Sequence, residues 1–120
     1  MQIPGLATFT ADGSLVETDA TEVTPGPAAT NSATSGTPGH GIWQTGPAIS
    51  NFFIQFMSLV VNHAGVLQDR RIVTITGTID NTGNHFTGTY ESHLISPAGH
   101  VTGTTMGSFI ADRLVHPALP

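Results

Sequence analysis

The sequence predicts an all-β protein, an antiparallel meander β-barrel of about seven to eight strands. Three observations carry that expectation. The triplet Thr-Gly-Thr occurs at Thr76-Gly77-Thr78, Thr87-Gly88-Thr89 and Thr102-Gly103-Thr104, each within a run of alternating apolar and polar residues. Alternation of this kind marks strands with one buried face. The runs are separated by Asp80-Asn81-Thr82-Gly83 and Ser96-Pro97-Ala98-Gly99, both rich in turn-forming residues, so 71–114 reads as three consecutive antiparallel strands. Parity then groups Gly77 with Val73, Ile75 and Ile79, Gly88 with Phe86, Tyr90 and Leu94, and Gly103 with Val101, Gly107 and Phe109. Glycine inside a strand marks a sharp bend or the close approach of another backbone. Repeated on the apolar face of neighbouring strands, it points to a sheet coiling toward closure, where a flat sandwich would place larger side chains.

The remaining elements follow in chain order. Residues 6–10 form a short alternating run closed by Ala11-Asp12-Gly13, and 14–18 is its hairpin partner. From 19 to 39 the chain turns to Thr, Pro, Ala, Ser and Gly with Val23 as its one large aliphatic residue, and is expected to be a surface loop or a lid over the barrel mouth. A strand at 40–45 follows, punctuated by Gly46-Pro47, and then the longest run, 49–62. That run is apolar on both parities, so a strand covered on both faces is expected, its outer face shielded by the long loop or by a second subunit in a homodimer. His63-Ala64-Gly65 turns the chain into 66–69 and the meander, and the prolines of the tail end the sheet.

Length and composition narrow the function. The 120 residues fit one domain, 1–120, able to enclose a single core or one ligand-sized cavity. The formal charge is −5, and the permanent cations are Arg70, Arg71 and Arg113. Nucleic acid and anionic membrane surfaces are recognised through clustered cations, so neither is an expected partner. No apolar run reaches the roughly 20 residues of a membrane-spanning helix, and the N-terminal residues lack the charged and apolar parts of a secretion signal. The absence of cysteine excludes disulfides, zinc–thiolate sites and a thiol nucleophile, and leaves the compartment open.

At Gly41-Ile42-Trp43 the chain resembles the Gly-x-Trp signature of lipocalins and other calycins, small antiparallel barrels that bind apolar ligands. In that family the tryptophan seals one end of the barrel beneath an arginine from the last strand, and the resemblance assigns those parts to Trp43 and Arg113. Both share the inner parity, and a desolvated contact between them would contribute roughly 1 to 2 kcal/mol. More broadly, GLATFTADGSLVETD, GHGIWQTGP, HFTGTY and ADRL are similar to segments of small bacterial lipocalin-like or allene-oxide-cyclase-like barrels. The resemblance implies a calycin-like fold and carries no catalytic motif.

Several chemistries can be weighed on the residues themselves. Six histidines invite a metal, yet no His-x-His or His-x-x-x-His spacing occurs. No metal site is expected, and the best alternative combination is His85, Glu91 and His93. A hydrolase lacks its nucleophile elbow, and no glycine-rich stretch has phosphate-binding spacing. No cofactor is expected. The leading expectation is a binding protein for a small apolar or aromatic molecule, held by Trp43, Phe53, Gln55, Met57, Ile75, Phe86, Tyr90, Phe109 and Arg113, with Met106 added if a bulge turns it inward. The alternative is a cofactor-independent cyclase, isomerase or lyase acting on a hydrophobic substrate in the same cavity, with Tyr90, Arg113 or a histidine at the barrel mouth as polar anchor. A histidine-bound metal hydrolase or oxidase ranks below both.

Overall fold

A computed structural model describes residues 3–20, 34–48 and 50–114. They form one antiparallel sheet of eight strands: β1 (Gly5–Phe9), β2 (Ser14–Asp19), β3 (Thr34–Gly36), β4 (Gly39–Thr45), β5 (Asn51–Asn62), β6 (Leu67–Ile79), β7 (His85–Ile95) and β8 (Val101–Asp112). The spatial order is β1-β2-β4-β5-β6-β7-β8, with β3 pairing the far end of β5. It is the expected meander, curled into a half-barrel. Among the described residues β1 and β8 remain separate edges, so the curl stops short of closure.

Local chemistry fixes the connections. Asp80 and Ser96 open the two turns of the meander, where Gly83 donates to the Asp80 carbonyl at 3.0 Å and Gly99 to that of Ser96 at 2.8 Å. Both glycines have positive φ, 73° and 90°, which a Cβ would resist. In the first hairpin the Asp12 carboxylate accepts from the Ser14 amide and hydroxyl and from the Thr10 hydroxyl.

Curvature comes from the glycines that parity placed inside. Gly77 on β6 pairs Gly88 on β7, and a Cβ on either would lie 2.1 Å from a carbonyl oxygen of the other strand, that of Thr87 or Thr76. The backbones approach there more closely than any side chain would allow. Over this bend Leu15, Ile54, Phe56, Val73, Ile75 and Phe86 form the buried core. The outer face carries the threonines.

Four expectations about faces are corrected. The inner face of β5 carries Phe52, Ile54, Phe56 and Ser58, so Phe53, Gln55 and Met57 face outward. Their cross-strand partners decide this: Ile54 and Phe56 pair Ile75 and Val73 of the inner parity, whereas Phe53 and Gln55 pair Thr76 and Thr74. Met106 also points outward, 72% exposed, because β8 keeps its alternation through that position. The irregularity lies nearer the strand's start, between the Leu94–Gly103 and Ile95–Val101 pairs, and turns Val101 away from the face of Gly103. Arg113 falls beyond the end of β8 and is exposed, its amide donating to the Asn84 carbonyl. Of the segment 19–39, residues 21–33 lie outside the described residues, as do Ile49 and His116.

Candidate functional site

The concave face divides into an aromatic half and a polar end. Phe9 of β1, Trp43 of β4, Phe52 of β5, Phe86 of β7 and Phe109 of β8 touch in sequence from one edge strand to the other. Trp43 stacks on Phe52 with ring centroids 5.4 Å apart and planes 7° apart. Phe9 meets both edge-on, at 6.3 and 5.7 Å. Phe52 then meets Phe86, and Phe86 meets Phe109, each at 5.4 Å and steeply inclined. These are the stacked and edge-to-face geometries that aromatic quadrupoles favour. In the ladders Phe52 stands opposite Gly77 and Phe109 opposite Gly88, so large side chains face absent ones across these strands.

Trp43 is fixed at this end by a hydrogen bond from Nε1 to the Thr10 carbonyl, 2.8 Å. It is half-buried, and its ring partner is Phe52. The pairing with Arg113 implied by the calycin signature is not formed. Tyr90, also half-buried, covers Gly107 directly across the ladder, where a Cβ would lie 2.7 Å from the ring. Ile75 and Phe86 are buried beneath, and Phe109 is half-buried beside them. Arg113 lies six residues beyond Gly107, about 20 Å along the strand direction, so Tyr90 and Arg113 do not meet at one reacting centre.

The polar end was missed in the sequence. Arg71 on β6 donates through Nε to Ser58 Oγ at 3.2 Å and through Nη2 to Asp19 Oδ2 at 2.8 Å, with Glu17 Oε1 at 3.9 Å. Ser58 is 1% exposed and Glu17 is buried. Parity carried the signal: Glu17 shares a face with Leu15, and Arg71 with Val73 and Ile75, so charges stand on the apolar side of two strands. Two carboxylates thus gather around one guanidinium inside the curl. This group sits six ladder positions from Gly77, roughly 20 Å from the aromatic row.

The outer face holds different groups. His93 bridges Glu91, Nε2 to Oε1 at 2.7 Å, and the Thr104 hydroxyl at 3.1 Å from Nδ1. His85 instead pairs Asp112 at 2.5 Å, and this hydrogen bond raises its pKa above the ordinary histidine value. His85, Glu91 and His93 therefore do not converge, and no cluster of three metal-binding side chains occurs among the described residues. A shallow depression of about 470 Å³ also lies on this side, lined by Thr74, Thr76, Thr89, Glu91 and Met106, with Tyr90 and Gly107 at its floor. No helix of the described residues is long and apolar enough to cross a membrane.

No family model, curated protein or solved structure matches the chain. The functional reading accordingly rests on the half-barrel and its side chains.

Proposed function

We propose that the concave face binds a small apolar or aromatic molecule, with the ligand lying against the rings of Trp43, Phe52 and Phe109. The observation that carries this reading is the unbroken ring row from Phe9 to Phe109, whose members on β4, β5 and β8 keep part of their surface accessible. Half-exposed rings held by their neighbours lose little conformational freedom when a flat ligand covers them, so burial of the ligand is opposed by little ordering cost. Binding is favoured over catalysis because Tyr90 and Arg113, the groups a cyclase or isomerase would use, stand apart.

Titration with an apolar fluorophore, followed through Trp43 emission, tests the reading. Saturable binding is expected, weakened by Phe52→Ala and by Phe109→Ala and unchanged by Tyr90→Phe. Binding that ignores both phenylalanine substitutions would refute the assignment of this face. Turnover of a bound substrate, lost in Tyr90→Phe with affinity kept, would replace it with an enzyme.

A further inference from the structure

The two edges of the half-barrel are unequal. β1 has five residues and follows Pro4, a short edge blunted in the usual way. β8 has twelve, VTGTTMGSFIAD, with no proline and no charge before Asp112. Its outward side chains include Met106 and Ile110, 72% and 76% exposed. Among the described residues this edge is unpaired, and apart from the irregularity at Val101–Gly103 it carries, before Asp112, neither a charge nor a proline that would keep another strand from pairing with it.

We infer that β8 pairs with β8 of a second copy of this chain, antiparallel and about a two-fold axis through Met106. Topology selects the partner strand. Each neighbour along the seven-strand path is antiparallel, so β1 and β8 run in the same direction and a β8–β1 junction between like-oriented half-barrels would be a parallel ladder. A β8–β8 junction is antiparallel, isologous and closed after two copies. Side chains select the register. A two-fold axis perpendicular to the sheet sets inner residues opposite inner residues, which requires the axis to fall on a residue. Placed on Met106, it sets Phe109 of each copy opposite Gly103 of the other, with Thr104 facing Ser108. A ring over a bare glycine is the pairing this sheet already uses for Tyr90 with Gly107. The two copies then share one continuous sheet, and the exposed methionines meet at its centre.

Reciprocal charges at the axis test the proposal on the full chain. Wild type is expected to sediment as a dimer, and Met106→Lys and Met106→Glu are each expected to weaken the dimer at least about tenfold by setting like charges face to face. Because Met106 is exposed within one chain, both variants should keep the wild-type far-ultraviolet circular dichroism. An equimolar mixture of the two should recover a dimer, seen by native mass spectrometry as one copy of each. A wild-type monomer would overturn the proposal, as would a dimer indifferent to both charges. Failure here leaves the ligand reading intact, since Met106 faces away from the ring row.

Discussion

Gly77→Ala is the sharpest probe of the curl. The added methyl would stand 2.1 Å from the Thr87 carbonyl oxygen and 2.8 Å from the Gly88 Cα. Both atoms belong to backbone held in ladders on two sides, so the strands must separate by an ångström or more. Overpacking of this kind costs about 1–3 kcal/mol. Alanine in place of strand glycine recovers about 0.5–1 kcal/mol of chain entropy. The expected net loss is therefore about 1–2 kcal/mol, a five- to thirtyfold fall in the folding equilibrium constant. Gly88→Ala should behave alike, since its methyl meets the Thr76 oxygen at the same 2.1 Å. The double variant should lose less than the sum, because either methyl alone opens the same ladder. Gly103→Ala, made in the Met106→Lys background so that no second copy covers it, is the control: its methyl meets only Leu94, nearest at the flexible Cδ1, 3.4 Å, and should leave stability level or slightly raised. Urea unfolding followed by circular dichroism measures all four. Should Gly77→Ala equal wild type, or Gly103→Ala lose as much, close backbone approach is not what bends this sheet.

Phe52→Ala removes the stack on Trp43 and the edge contacts to Phe9 and Phe86, and is expected to cost about 3 kcal/mol with a red shift of Trp43 emission. Arg71→Met removes the guanidinium contacts to Ser58, Asp19 and Glu17 and should cost about 3 kcal/mol in a thermal melt, with Arg71→Lys recovering only part because one ammonium cannot reproduce the forked contacts to Ser58 and Asp19. His85 should titrate above the ordinary histidine value by NMR, held there by its hydrogen bond to Asp112, and Asp112→Asn should bring it back. Its folded value is the higher one, so the pair stabilises fully below the unfolded value of 6.5, and that contribution is lost as pH rises through the folded value. Asp12, drawn down to about 2 by hydrogen bonds from Thr10 and Ser14, should rise toward an ordinary carboxylate in Ser14→Ala.

Much of the fold was legible because the meander states it three times over. Thr-Gly-Thr, alternation and the two turns agree on strand, register and face across 71–114, and each local preference reinforces the next. The hairpin around Asp12-Gly13 was legible for the same reason. β5 was not. With Phe, Ile, Met and Val on both parities, alternation there carries no information about which face turns inward. That choice belongs to the neighbours, chiefly Gly41, whose missing side chain makes room for Phe56. The consequence for the site was direct: Phe53, Gln55 and Met57 replaced Phe52, Ile54 and Phe56 in the expected lining. Arg113 was misplaced because a family signature fixed its partner before the end of β8 was known. β3, three small residues against Val60, Val61 and Asn62, has too little side chain to announce itself. The Arg71 cluster could have been found, since Arg71 shares the parity of Val73 and Ile75, and Glu17 that of Leu15.

The neighbour-to-neighbour order of the strands bears on how the chain reaches this state. From β4 to β8 each ladder closes over a turn of a few residues, so little loop entropy opposes the next step and the sheet can zip outward from the β6–β7 hairpin. Along the seven-strand path the β2–β4 seam brings together segments separated by nineteen residues, Ala20 to Pro38, the longest connection on that path. The N-terminal hairpin is thus the late arrival, and Leu15 becomes buried only when it docks. Substitutions at Leu15 should speed unfolding while leaving the folding rate nearly untouched, with the reverse pattern near Ile75.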